Sequence, residues 1–228
     1  MSVGILVAID GPSGSGKSTV AKLVAKELGI SYLDTGAMYR ALTWLCFERG
    51  IDLSDEQSVR ESADELDFSM VQGADGPRFF AGEVDVTSVI REPKIAEGVP
   101  VVARNIPVRK WMASEQRRLM LDARENGTGM VAEGRDITTV VCPEADVRVL
   151  LVADEEERLR RRTIELYGKE TPELLEATRA QIGDRDASDA KVSDFLEAAE
   201  GVVTIDSSHQ SIEQVVSQVI GLASNIEV

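Results

Sequence analysis

Residues 8–19 read AIDGPSGSGKST, with three glycines, three serines and one lysine in twelve positions. The apolar run VGILVAI (residues 3–9) leads in, and the helix-like run TVAKLVAKEL (residues 19–28) leads out. Glycine and serine disfavour both regular structures, and a plain turn needs fewer of them. The eight positions from Gly11 to Ser18 fit G-x-x-x-x-G-K-[ST] in the strand–loop–helix setting that gives this pattern its meaning. Glycines let successive backbone N–H groups converge on an anion, and a helix starting near Lys17 adds the positive end of its dipole. The pattern therefore predicts a nucleoside-triphosphate cradle. Its residues are Gly11, Pro12, Ser13, Gly14, Ser15, Gly16, Lys17, Ser18 and Thr19, with Lys17 bridging the β- and γ-phosphates and the Ser18 hydroxyl a ligand to Mg²⁺. The plainer alternative is a glycine-rich turn beside a surface lysine.

Outward from this stretch, strands and helices alternate. Val3–Ile9 predicts a strand buried on both faces of a parallel sheet. Lys17–Leu28 predicts a helix with Val20, Leu23, Val24 and Leu28 on one face, stopped by Gly29. A short strand at Ile30–Leu33 and a helix at Ala37–Arg49 follow. Residues 66–90 change character: alternating patterns, GADG and AGE turns and β-branched residues predict a small antiparallel meander. Pro107 to Glu125 reads as helix, then GMVAEG, VRVLLVAD and GVVTID as strands, and SIEQVVSQVIGLAS as an amphipathic helix. Short connections between alternating elements imply a parallel, right-handed α/β sheet.

The chain has 228 residues, enough for one α/β domain with a small inserted lobe. Its net charge of −15 argues against a nucleic-acid polymer as partner, because such binding needs a basic face that releases counterions. A small phosphorylated substrate needs only a local group of arginines. His209 is the sole histidine, which excludes His-based triads and His-rich metal sites. Cys46 and Cys142 lie far apart in apolar contexts and read as buried thiols of a reducing compartment. No run approaches the length of a membrane span, and the N-terminus lacks the flanks of a signal peptide. A cytosolic monomer is the expectation, since no exposed apolar stripe asks for a partner.

Water is a poor candidate for the phosphoryl acceptor of a GTPase here: neither an Asp-x-x-Gly switch nor an Asn-Lys-x-Asp guanine reader is present. The second strand ends in DTGAMYR, so Thr35 can open a helix while Arg40 reaches the crevice where such sheets bind ligands. AEGRD sets Arg135 and Asp136 at the same level. Arg40 alternatively lies solvated on a helix face, and Arg135 with Asp136 forms a structural ion pair. After VRVLLVAD comes EEERLRRRTIEL, where Arg158, Arg161 and Arg162 fall in one helical stripe and Arg160 points away. Forked guanidinium donors suit clustered phosphate charge, so the stripe reads as an anion-clamping lid hinged at YGKETP and RDASDAK. The competing reading is a surface helix paired internally, for example Glu157 with Arg161.

These segments together resemble the bacterial cytidylate kinases, within the nucleoside monophosphate kinases. The resemblance covers nearly the whole chain and rests on IDGPSGSGKST, LDTGAMYR, the meander, PVR at 107–109, EGRDITTVVCPEA, RD-x-x-D at 185–189 and IDSSHQSIEQVV. It implies a P-loop NTPase-type α/β fold: a parallel five-stranded sheet flanked by helices, a small antiparallel β insertion in the acceptor-binding lobe and a short helical lid. The divisions would be a core (about 1–60, 100–153, 200–228), an insertion (about 61–99) and a lid (about 154–190). ATP with Mg²⁺ would lie over residues 11–19. CMP or dCMP would be held by Thr35 and Arg40 at its phosphate, by Arg109 and Asp136 at the cytosine, and by Arg185 and Asp189 at the ribose. Arg135 would lie near the transferred group. The sequence departs from the family pattern in four places. Glu133 replaces an aspartate, and Thr138 stands where glycine is common. Pro100 stands where a serine is normal, and Lys191 where an arginine fork is usual. Other acceptors (UMP, AMP, shikimate, a dephospho-coenzyme A ribose) and a non-catalytic nucleotide switch are the remaining alternatives.

Overall fold

The computed structural model describes residues 3–73, 76–189 and 197–224. The chain divides into two compact units: the residues up to Leu33 together with those from Arg117 onward, and Asp34–Gln116.

The first unit is built on a five-stranded sheet. Its strands are β1 (Leu6–Asp10), β2 (Ser31–Asp34), β6 (Met130–Gly134), β7 (Val147–Val152) and β8 (Val203–Asp206), in the order β2-β6-β1-β7-β8. β1 pairs in parallel with β6 on one side and with β7 on the other, and β7 pairs in parallel with β8. A strand with neighbours on both edges and helices above must be apolar throughout; β1, LVAID, is buried at all five positions. It starts later than Val3 because Val3 is 61% exposed and lies outside the ladder. The loop leaving the central strand therefore emerges between the ends of β6 and β7, where doubly wound sheets place ligands.

Helix α1 (Lys17–Leu28) has the expected bounds, and Gly29 ends it in the left-handed conformation (φ 66°). Its buried seam is Val20, Ala21, Val24 and Ala25, whereas Leu23 and Leu28 are half-exposed. The seam is rotated toward the alanines where α1 packs on β6 and on α8 (Ile212–Ser224). Helices α6 (Glu155–Tyr167) and α7 (Pro172–Asp189) pack on one another, and α7 carries residues 185–189 within regular helix. Cys46 and Cys142 are both buried free thiols; burial pushes Cys142 up to about 11.

The second unit holds α2 (Thr35–Glu48), α3 (Glu56–Asp64), α4 (Pro93–Arg104), the start of α5 (Ile106–Glu125) and the meander. The meander is the expected antiparallel sheet, β3 (Phe68–Gly73), β4 (Gly76–Ala81) and β5 (Val84–Asp85), with Phe79 fully buried beneath it. α4 runs through Pro100, which has no N–H to donate to the preceding turn. Gly98 is where α4 meets α2: a Cβ there would lie 2.8 Å from Thr43 Cγ2 and 2.9 Å from Leu53 Cδ1. Thr43 is fully buried, and its hydroxyl is bonded to the Tyr39 carbonyl, so it cannot swing away. Gly98→Ala is therefore expected to destabilise by about 1–3 kcal/mol, as overpacking does. That is a loss of about 3–10 °C in a melt followed by circular dichroism, against the small gain in helix propensity that an open site would show.

Candidate active site

The cradle between β1 and α1 has the features an anion needs. Gly14 and Gly16 adopt φ values of 77° and 90°, which L side chains resist. α1 starts from Gly16, which offers no side-chain cap, and has no acidic residue in its first turn, so the positive end of its dipole is not offset by a carboxylate of that turn. Lys17 Nζ lies 3.4 Å from the Pro12 carbonyl, folded back over the loop it begins in.

Ser18 donates from Oγ to Glu133 Oε1 at 2.7 Å, and Tyr32 donates its hydroxyl to the same oxygen at 3.2 Å. Glu133 is buried on β6, the neighbour of β1. A hydroxyl and a carboxylate brought together beside the phosphate cradle are the hard oxygen donors that Mg²⁺ prefers, so these residues fit that ion. Glu133 and Tyr32 had no role in the sequence reading. Their partners lie 115 and 101 residues away, and only strand adjacency brings them together.

At the end of β6, Arg135 donates from Nη1 to the Gly11 carbonyl at 2.7 Å. The chain after Asp136 forms a wide helical turn over Ile137–Val141: the Asp136 carbonyl accepts from Val140 and Val141, and the Ile137 carbonyl from Cys142. Such π-type turns concentrate at functional sites. Asp10, the last residue of β1 and 1% exposed, receives the Ile137 N–H on Oδ1 at 3.0 Å. The N–H and the hydroxyl of Thr138 both reach Oδ2 at 2.7 Å. Burial pushes the Asp10 carboxyl up to about 6. The Thr138 and Ile137 hydrogen bonds work against that rise, and the Asp136 charge adds to it.

The arginines of α6 meet backbone carbonyls and a serine. Arg158 Nη1 donates to the Ser13 carbonyl (3.1 Å), while Arg161 donates to Ser207 Oγ (2.9 Å) and to the Ser207 carbonyl (2.7 Å). Ser207 Oγ also lies 3.1 Å from the Ser15 carbonyl, so the turn after β8, the P-loop and α6 form one hydrogen-bonded cluster. Arg162 pairs with Glu165 (2.9 Å), Arg160 with Glu157 (3.2 Å), and Arg161 with Glu157 at 3.5 Å. The helix thus carries internal pairing, while Arg158 also holds the P-loop and Arg161 the turn after β8. Ser207 lay inside a quoted motif, IDSSHQS, with nothing in its sequence context to show its partners.

In the second unit, Asp34 caps α2, accepting from the Ala37 N–H (2.8 Å), and its other oxygen takes Arg40 Nη2 at 2.9 Å. Arg40 is thereby folded over the helix start beside Thr35, its side chain 21% exposed, rather than solvated on the helix face. Its Nε is buried and, among the described residues, has no hydrogen-bond partner. Gly36 permits this, since a Cβ would lie 3.2 Å from both Arg40 Nη1 and Asp34 Oδ1. Arg109 enters from the first turn of α5, with Nη1 3.4 Å from the Ala103 carbonyl. That turn is set by Asn105, whose Oδ1 accepts from Val108 N and whose Nδ2 donates to the Glu56 carbonyl. An Asn followed by Pro within the first turn is a helix-start signal, so Asn105 was findable from sequence. Arg185 and Asp189 lie on α7 with side chains outside the described residues, as is the whole of Lys191.

Known proteins share this fold and, at higher identity, this sequence. A solved structure of a sugar kinase from Janibacter sp. HTCC2649 is similar in fold, with a TM-score of 0.52 and 17% identity over 97% of this chain and 95% of that one. A cytidylate kinase of Carboxydothermus hydrogenoformans is 41% identical over 215 residues, 94% of this chain and 95% of the relative. One of Oceanobacillus iheyensis is 40% identical over 218 residues, 95% and 92% respectively. The family model for cytidylate kinase matches residues 7–225, from within β1 past the end of α8. With the phosphate cradle, the Ser18–Glu133 pair and the Arg135–Asp136 strand end inside that match, the chain belongs to the cytidylate kinase family.

Proposed function

We propose that this protein transfers the γ-phosphoryl group of ATP to CMP or dCMP, yielding ADP and CDP or dCDP, with Mg²⁺ on the triphosphate. The observation that carries the reading is the cradle at Gly11–Thr19 with Arg135 bonded to its first carbonyl, in a chain of this family. An oxygen of the CMP phosphate forms the new bond to the γ-phosphorus as the bond to the β,γ-bridging oxygen breaks and ADP leaves. The attacking oxygen is already anionic, so no general base is required. Catalysis then comes from in-line positioning and charge neutralisation.

Each residue has a part on this reading. Backbone N–H groups of Gly11–Ser18 hold the triphosphate, and Lys17 spans its β- and γ-groups. Ser18 and Glu133 would hold Mg²⁺, which neutralises charge on the triphosphate when bound. Thr35 and Arg40 take the acceptor phosphate, Arg109 and Asp136 the cytosine, and Arg185 and Asp189 the ribose. Arg135, Arg158, Arg161 and Arg162 neutralise charge around the transferred group. The division into core, insertion (about 61–99) and lid (about 154–190) belongs to the same proposal, as does work as a cytoplasmic monomer. Among the described residues no helix is long and apolar enough to cross a membrane.

A coupled assay of ADP release with CMP, dCMP, UMP, AMP, shikimate and no acceptor tests the reading. CMP and dCMP should stimulate release most strongly; release independent of any monophosphate would overturn it. Base reading has its own test. Asp136→Ala removes a carboxylate acceptor, and a hydrogen bond to a charged group is worth about tenfold or more in affinity. Calorimetry should show CMP affinity falling by at least about that factor while ATP affinity stays within about twofold. Equal losses for the two nucleotides would remove Asp136 from the base-binding set.

A further inference from the structure

We infer that Asp10 is a positioning residue for the acceptor side of the reaction, holding Arg135 and Asp136 in register with the P-loop through the Ile137–Thr138 backbone and the Thr138 hydroxyl. The inference deepens the function proposed above and rests on it for the roles of Arg135 and Asp136.

Asp10 grips the segment at both ends. On β6 its register partner is Gly134, the residue just before Arg135. Its carboxylate takes the N–H groups of Ile137 and Thr138, the two residues just after Asp136. Those N–H groups begin a helical turn and have no partner within it, so Asp10 caps the turn from 127 residues away. Two residues are thus strung between points fixed by a single one. The next residue along the chain, Gly11, accepts the Arg135 guanidinium. Displacement of the turn would therefore move Arg135 and Asp136 relative to the cradle.

At 1% exposure Asp10 offers almost no surface to a ligand, which suits a support. A carboxylate is costly to bury unless its acceptor capacity is filled, and three short bonds fill it here. Thr138 supplies two of the three, which makes its hydroxyl a separable part of the anchor. An amide at position 10 would turn an N–H toward an N–H, so Asp10→Asn breaks the anchor while nearly preserving shape.

The test uses Asp10→Asn, Thr138→Val and Thr138→Ser in the full chain, with two readouts. Hydrogen exchange of the peptide spanning 134–142 should quicken by about tenfold or more in Asp10→Asn, as local opening becomes cheaper. In steady-state kinetics Asp10→Asn should lower kcat/KM for CMP by about a hundredfold, because displacement by about 1 Å has that effect. The KM for ATP should stay within about threefold, since the P-loop amides are untouched. Thr138→Val should lose about tenfold toward CMP, and Thr138→Ser, which keeps the hydroxyl, should return to within about twofold. Unchanged exchange at 134–142, Thr138→Val matching the parent, or a KM for ATP raised as much as that for CMP would each overturn the inference. If Asp10→Asn fails to fold, the Thr138 pair decides. A parent protein inactive on CMP would sink the functional proposal alone, and exchange would still decide the anchor.

Discussion

Lys17→Ala should cost at least about a thousandfold in turnover at saturating ATP and CMP, with only a small change in melting temperature. The size follows from what the ammonium replaces. Removing one preorganised donor from a developing anion costs about 10²–10³ in rate, and a cation aimed at a transferring phosphoryl group is worth about 10³–10⁵. The change in stability should be small beside the loss of turnover. Lys17 is half-buried at the first position of α1, its Nζ contact to the Pro12 carbonyl is long at 3.4 Å, and it places a positive charge at the helix's own positive end. Removing that charge relieves an unfavourable interaction of about 0.3–1 kcal/mol with the helix dipole, which offsets part of what the side chain's contacts give. Rapid-quench measurement of a single turnover, beside a thermal melt, separates the two effects. Near-normal turnover would mean that the lysine does not reach the phosphates, and the cradle assignment would fall with it.

The backbone of the Gly11–Ser18 loop is legible because it is set locally. Twelve consecutive residues specify the strand exit, the left-handed glycines and the helix start, and the bounds Lys17–Leu28 follow from Gly16 and Gly29 at its ends. The meander was legible for the same reason, its turns and alternation lying within one short stretch. Less visible were groups whose partners are distant in sequence. Asp10 reads as an apolar strand's polar end until β6 delivers Ile137 and Thr138 to it. Glu133 reads as a substitution for aspartate until Ser18 and Tyr32 reach its oxygen. The α6 arginines were visible as a stripe, but periodicity says which residues share a face and nothing about what that face meets. Ser13 and Ser207 carbonyls as their partners required the tertiary fold. The helical seam of α1 turned toward Ala21 and Ala25 because close packing rewards small side chains, a preference that a count of large apolar residues misses.

Those α6 contacts make Gly14→Ala a damaging small change in the loop. Gly14 sits at φ 77°, where a Cβ costs about 1–2 kcal/mol. The new carbon would also stand 2.4 Å from the Arg158 carbonyl oxygen, 2.9 Å from its carbon and 3.0 Å from its Cα. These are backbone atoms inside a helix and cannot turn aside as a side chain would, so the loop or α6 must shift, adding about 1–3 kcal/mol. Either shift pulls Ser13 from Arg158, whose 3.1 Å bond lies one residue from the substitution. A combined loss of about 2–5 kcal/mol corresponds to about 5–15 °C in melting temperature for a chain of this size. Turnover should fall by about a hundredfold or more as the phosphate-binding amides lose alignment. Gly29→Ala is the control. Gly29 is also left-handed (φ 66°) but a Cβ there meets nothing within 4 Å, so only the conformational term applies and activity should persist. The difference between the two variants isolates the contact with α6. Were Gly14→Ala to melt within about 2 °C of Gly29→Ala and keep its turnover, α6 would not be seated on the P-loop as the carbonyl contacts require.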